Sequence, residues 1–249
     1  MESIKAWFAS LAADFQLNFI DNANWKWLVE GLGHTLLITF FALLMGIGLG
    51  VIVAAVRSSY DKNREAMALH KGVGYYVFTV INAICKLYLT VIRGTPVVVQ
   101  LLIMYFIIFA SSRNDILIAT IAFGINSGAY VAEIVRGGLE SVDDGQLEAG
   151  ASLGLTRTQV MLFIILPQGF RRALPALFNE FIALIKETSI VGTIGVVDIT
   201  KVAERIIART YEPFTPYLVT AIIYLVIVIV LTQLLKLLEK KLAKGDRNG

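Results

Sequence analysis

Residues 36–56 read LLITFFALLMGIGLGVIVAAV, twenty-one residues without a charge. A bilayer core about 30 Å thick calls for roughly 20 apolar residues in an α-helix. In hydrocarbon every backbone N–H and C=O must be satisfied within its own segment, so the stretch reads as a membrane-crossing helix. The chain repeats the pattern. Residues 216–235 carry no charge, 116–135 carries only Glu133 near its end, and 173–197 is apolar apart from Glu180, Lys186 and Glu187. Composition points the same way, with 57% hydrophobic and 16% charged residues over 249 positions, where a soluble domain has about 45–50% and 25%. The expected fold is an all-α integral membrane protein.

Residues 73–110 are harder to divide. The apolar run 96–110 rises only about 22 Å as a helix, short of the bilayer core. Residues 73–92 are apolar but broken by Lys86. The segment holds two spans, or one crossing whose first half lies along the membrane surface. Charge parity favours one. With five spans, thirteen Lys/Arg between Arg57 and Arg247 fall on one side, against six (Lys5, Lys26, Arg113, Lys201, Arg205, Arg209) on the other. The richer side is cytoplasmic by the positive-inside rule. This gives about five transmembrane helices with the N-terminus out and the C-terminus in. Residues 1–30 form a periplasmic segment, 31–240 the membrane domain and 241–249 a cytoplasmic tail. The acidic N-terminus lacks the basic head and cleavage site of a signal peptide.

Several chemistries find no support. The single cysteine, Cys85, excludes an internal disulfide, and two histidines, His34 and His70, make no metal motif. Gly46, Gly48 and Gly50 follow no strand and lack nucleotide-binding spacing; small residues on a membrane helix serve close packing. There is no Walker A sequence, no nucleophile signature and no internal repeat. A net charge of +3 is too scattered for nucleic acid. The reading is a non-enzyme with no catalytic residue, no metal site and no cofactor of its own.

The most organised polar stretch is 136–172. Ser141 with Asp144, and Thr156 with Gln159, have the spacing of helix-opening capping pairs. Gly154 falls where a left-handed helix stop belongs, and Pro167 limits the second helix. Two short helices follow, with Leu147, Val160 and Phe163 as their apolar contacts. The plain alternative is a solvated connector.

Within this loop Glu148-Ala149-Gly150, then Gly154, then Ile164-x-Leu166-Pro167 resembles the EAA loop of ABC importer permeases, with Gly150 in place of the second alanine. Arg93-Gly94-Thr95-Pro96 with Gln100, Gly128–Glu133, Asn179–Ile182 and Lys186–Ser189 resemble that family's polar amino-acid branch. The resemblance runs from about Gly31 to the C-terminus. It implies a helix-turn-helix coupling loop on a permease of the bacterial inner membrane, paired with a second copy or a homologous permease. Each copy would dock a cytoplasmic ATPase that binds ATP and Mg, and a periplasmic or lipid-anchored protein would deliver the amino acid. The ATPase-docking residues are then Glu148, Ala149, Gly150, Gly154, Ile164, Leu166 and Pro167.

Ionisable groups in a span are costly and usually face protein or water. Glu180 and Glu187, seven residues apart, share a helix face, and Asn179 and Lys186 share the neighbouring one. The stripe reads either as a lining for a zwitterionic substrate or as interfacial and interhelical pairing. Thr188 and Ser189 are ligands or hydroxyls bonded back to their helix. Asn126, Ser127 and Tyr130 make a second candidate lining. Arg93 is a hinge in the pathway or a headgroup anchor. Lys201, Ala203, Glu204, Arg205 and Arg209 suggest an outer amphipathic helix. A stand-alone carrier or channel would use the same stripe but has no need of the 148–167 loop.

The charge asymmetry makes a direct prediction. A topology reporter fused after Gly249 will be cytoplasmic and one fused before Met1 periplasmic; both ends on one side would overturn the five-span arrangement.

Overall fold

The computed structural model describes residues 2–69 and 72–247. The two reporter positions, Met1 and Gly249, lie outside them, as does Lys71 of the charge count. Among the described residues ten α-helices follow in order: α1 (Glu2–Phe15), α2 (Trp25–Leu69), α3 (Val73–Gly94), α4 (Val97–Ile103), α5 (Asp115–Glu140), α6 (Gly145–Ser152), α7 (Arg157–Val160), α8 (Leu166–Glu187), α9 (Ile199–Thr210) and α10 (Phe214–Arg247). π-helical turns lie at Gln16–Asp21, Met104–Ile108 and Met161–Ile165, and a 3₁₀ segment at Thr188–Ile194. Among the described residues there is no strand. Five helical stretches are long and apolar enough to cross a membrane: Trp25–Lys62, Val73–Gly94, Asp115–Glu140, Arg157–Ile194 and Phe214–Leu242. The divisions drawn at 30/31 and 240/241 fall inside α2 and α10, because both helices continue beyond their apolar stretch.

The centre is the pair α2 and α5. A Cβ on Gly46 would stand 3.0 Å from the Ser127 side chain, and one on Gly50 only 2.6 Å from Val131 Cγ1. One turn apart, these glycines let the two backbones close on each other. Gly48, between them, has nothing within 4 Å of a Cβ position. The same device recurs on α5, where Gly124 and Gly128 take the side chains of Met45 and Leu49. Ile38, Ala42, Ala119, Ala122 and Phe123 continue the packing as a fully buried cluster.

The ambiguous stretch 73–110 is a single climb broken midway. Asn82 Oδ1 accepts from Arg57 Nη1 at 2.9 Å, Leu89 packs with Val53, Ala129 and Ala132, and Leu101 reaches Ile38 and Ala42. Later residues thus meet ever earlier parts of α2. The break follows from Pro96, which has no N–H and pushes the residue before it out of the helical region; Thr95 is extended at φ −122°, ψ 147°. The carbonyl orphaned by that missing N–H belongs to Ile92, four residues earlier. Gln100 Nε2 donates to it at 2.8 Å and to the Thr95 carbonyl at 3.1 Å.

Three expectations about the loop are corrected. Ser141 and Asp144 form no capping pair: the Ser141 hydroxyl donates to Gly138 O at 2.7 Å because Ser141 ends α5, which runs to Glu140. Asp143 takes over, its carboxylate accepting from Gly145 N at 2.7 Å. Pro167 does not end the second helix: the π-turn 161–165 joins α7 to α8 without interruption, and Pro167 lies just past that turn, where the hydrogen-bond register changes from π to α. Phe163 is no internal contact but is 71% exposed, whereas Val160 is buried. The Thr156–Gln159 capping box is present in full, and Gly154 is left-handed at φ +80°.

After Gly195 the chain re-enters a helix at Asp198, whose carboxylate accepts from Lys201 N at 2.9 Å and Thr200 N at 3.1 Å. Burial pushes this carboxyl above its ordinary range, and the backbone donors hold it back. His34 Nδ1 donates to Val197 O at 2.8 Å, tying the junction to α2. α9 then presents Ile199, Val202, Ala203 and Ile206 inward, so Ala203 belongs to its buried face.

The glycine contact gives a paired prediction. Gly50→Leu will destabilise the detergent-solubilised protein by about 1–3 kcal/mol through overpacking, while Gly48→Leu stays within roughly 0.5 kcal/mol of the parent. Thermal aggregation of the two variants side by side checks it, and equal stability would show that α2 does not meet α5 through Gly50.

Candidate functional site

Halfway along α5 a run of polar side chains is held off the lipid. Asn126 and Ser127 are both buried. Asn126 Nδ2 donates to Gln100 Oε1 at 2.9 Å, the same glutamine whose amide closes the α3–α4 break. Ser127 Oγ donates to Glu180 Oε1 on α8 at 2.8 Å. Three elements are thereby joined at one level: the broken helix, the central helix and the helix that carries the charged stripe. Each of these groups is expensive to leave unpaired in an apolar interior, and each has a partner.

A second polar layer lies along α5 toward the end that carries the loop. The Arg93 guanidinium stands 5.8 Å from the centre of the Tyr130 ring and 3.7 Å from Glu133 Oε2. Arg136 bridges Glu133 at 2.9 Å and Glu140 at 2.6 Å. Arg93 is thus tied to α5, beside the break. Glu140 closes α5, and the next carbonyl, that of Ser141, accepts from Arg172 Nη1 on α8.

The other stripe residues are distributed differently. Asn179 and Lys186 are exposed, and Glu180, Glu187 and Ser189 are half-buried. Thr188 is fully buried and its hydroxyl donates to Ile185 O at 2.8 Å, the backbone-bonded arrangement. Gln100, Glu133 and Arg136 were not singled out as pathway residues by the sequence reading. The available signal was the position of Gln100, four residues after Pro96, where a glutamine reaches back over the broken turn.

At the loop end Glu148, Ala149, Gly154, Leu166 and Pro167 are exposed, Ile164 is half-buried and Gly150 is buried. A Cβ at Gly150 would run into the methyls of Val160, so glycine here seats α6 on α7. Around them Leu153 is 80% exposed, and Leu162 and Phe163 are bare as well. Exposed apolar groups gathered in a patch mark sites of contact with another protein or with the membrane. Beside it Ser58, Lys62, Arg157, Thr158 and Met161 line a cavity of about 330 Å³.

Residues 46–244 match the family of binding-protein-dependent transport system inner membrane components. The arginine transport system permease protein ArtQ of Bacillus subtilis is 34% identical over 222 residues, 88% of this chain and 94% of that one. The glutamine transport system permease protein GlnP of Escherichia coli is 34% identical over 220 residues, 86% and 92% of the two chains. A solved amino acid ABC transporter with histidines superposes at TM-score 0.77 with 36% identity, covering 90% of this chain and 98% of its own. The MetNI methionine ABC transporter, at 17% identity and TM-score 0.70, shares the fold. With its own residues 46–244 matched and relatives of this similarity along most of its length, the chain belongs to the binding-protein-dependent transport system inner membrane component family.

Proposed function

We propose that this chain is the permease subunit of an ATP-binding-cassette importer for a polar amino acid of the arginine, lysine, histidine, glutamine or glutamate class. The observation that carries the reading is the continuity of the loop with the pathway. The helix that opens at Thr156 runs through the π-turn into α8 and so to Glu180, which accepts from buried Ser127. A displacement of the exposed loop by a partner therefore reaches the mid-membrane contact through one helix. A packed element of that kind passes on motion that a loose connector would absorb.

In this reading Glu148, Ala149, Gly154, Leu166 and Pro167, with the bare Leu153 and Phe163, form the seat for a cytoplasmic ATPase that binds ATP and Mg. Gly150 and Ile164 shape it from behind. Asn126, Ser127, Tyr130, Asn179, Glu180, Lys186, Glu187 and Ser189 surround the substrate route; Thr188 supports it from within. The orientation that fits is N-terminus out and C-terminus in, within the bacterial inner membrane. A second permease copy or homologue would complete the route, and a periplasmic or lipid-anchored binding protein would deliver substrate at the far end.

Glu180→Gln tests the route. The amide oxygen still accepts from Ser127, so assembly is retained while the charge is lost. A charged hydrogen bond is worth about 1.5–3 kcal/mol, so uptake of a cationic amino acid into proteoliposomes will fall by about tenfold or more and uptake of glutamine by less. Full assembly with wild-type uptake of both substrates would place Glu180 outside the route.

Gly154→Asp tests the seat. There is open space around Gly154, and Asp is among the side chains that tolerate a left-handed backbone. The variant will insert normally, yet substrate-stimulated ATP hydrolysis by the reconstituted complex will be lost. Normal stimulation would remove Gly154 from the contact.

A further inference from the structure

We propose that α1 is an in-plane membrane anchor, its apolar stripe sunk into the headgroup–acyl boundary at the end of the bundle where α2 and α10 begin. Ile4, Trp7, Phe8, Leu11 and Phe15 fall within an arc of about 100° at helical spacing. Lys5, Ala9 and Ala13 occupy the opposite side. Four of the five stripe residues are exposed, Ile4 and Phe8 at 59% each with Trp7 and Phe15, while Leu11 is half-buried; Leu17 and Ile20 in the π-turn that follows are open too. A helix in water at this exposure forgoes the gain of taking those side chains out of water.

Two observations identify the occupant as lipid. First, the stripe continues the lipid-facing belt of a membrane span. The Trp7 and Phe214 rings stand 6.0 Å apart, edge to face, and beyond Phe214 the α10 surface exposes Tyr217, Leu218, Ile222 and Leu225. Second, all three tryptophans of the chain, Trp7, Trp25 and Trp27, sit at this end, within or just before the first turn of a span or on α1 itself. Tryptophan concentrates where hydrocarbon meets headgroup, because its ring is apolar and its N–H is not. Just beyond it Phe19 is buried against Val202, Ile206 and Trp27, which pins the end of α1 to the bundle and fixes its depth. A helix with its large apolar side chains on one stripe, only Lys5 and small alanines behind, and a pinned end lies in the interface plane. The segment precedes residues 46–244, so the family likeness does not account for it.

The test uses the full chain in bilayers of phosphatidylethanolamine and phosphatidylglycerol. In a Cys85→Ala background, single cysteines replacing Ile4, Lys5, Phe8, Ala9, Ala13 or Phe15 carry a nitroxide. Collision with oxygen and with a water-soluble nickel chelate is then measured. Positions 4, 8 and 15 will be rich in oxygen contact and several-fold poorer in nickel contact than 5, 9 and 13, at a depth of about 5–10 Å. Nickel contact at every position, or shielding of 4, 8 and 15 from both reagents by a covering protein, would overturn the proposal. A label-free measurement guards against a substitution that detaches the helix. With Trp25→Phe and Trp27→Phe, Trp7 emission will be quenched more by a doxyl group near the glycerol end of the acyl chain than by one near its methyl end. Absence of quenching by either would equally overturn it.

Discussion

The closeness of α2 and α5 governs the remainder of the molecule. Inside a bilayer, lipid tails are as apolar as leucine, so helices gain little by hiding apolar surface and associate through van der Waals packing and interhelical hydrogen bonds. Gly46 and Gly50 on one helix, with Gly124 and Gly128 on the other, supply that packing by letting side chains meet bare backbone. Once α5 is fixed against α2, its other faces become the walls against which everything else is placed. Tyr88 of α3 donates to Ile125 O at 2.5 Å, Gln100 of α4 accepts from Asn126, and Glu180 of α8 accepts from Ser127. Residues 126 and 127, neighbours on the sequence, thus receive different helices.

The second constraint is the cost of a lone backbone group in hydrocarbon. The break at 95–96 comes with its own replacement partners. At Pro96 the side chain of Gln100 stands in for the absent N–H. At Thr95 the hydroxyl donates to Val91 O at 2.8 Å. Irregular backbone at membrane depth survives only where protein or a polar cavity receives it, and such places are where transporters hold their substrates. The break at 95–96 lies beside Asn126, one of the groups proposed to surround the route.

Much of the architecture is legible in the sequence because hydrocarbon leaves few choices: four of the five crossings can be read from long, largely uncharged apolar runs. The fifth was ambiguous because Pro96 divides it, and hydropathy alone does not tell a broken helix from two short ones. The left-handed Gly154 and the Thr156–Gln159 box were readable because local backbone chemistry decides them. Ser141 and Pro167 mislead because a cap or a proline reads differently according to the helix it belongs to: Ser141 closes α5, and the π-turn that carries the helix on to Pro167 has no sequence signature of its own. Phe163 is apolar, and composition alone does not tell an inward position from a bare one. For the candidate site, the charged stripe was visible as charges in an apolar run. The partnership of Ser127 with Glu180 was not, because it joins residues 53 apart through a tertiary contact.

The π-turn at 161–165 is in effect one surplus residue between the loop and the span. Each residue of an α-helix turns the chain by about 100°, so this surplus sets the rotational phase between the exposed Leu153–Phe163 surface and the face of α8 that carries Glu180. Lengthening either helix at its outer end would leave that phase alone. Removing a single residue from within 161–165 would leave Glu148–Gly154 and the Thr156–Gln159 box on one side and the charged stripe of α8 on the other untouched, yet aim the loop about a quarter-turn away from the helix it addresses.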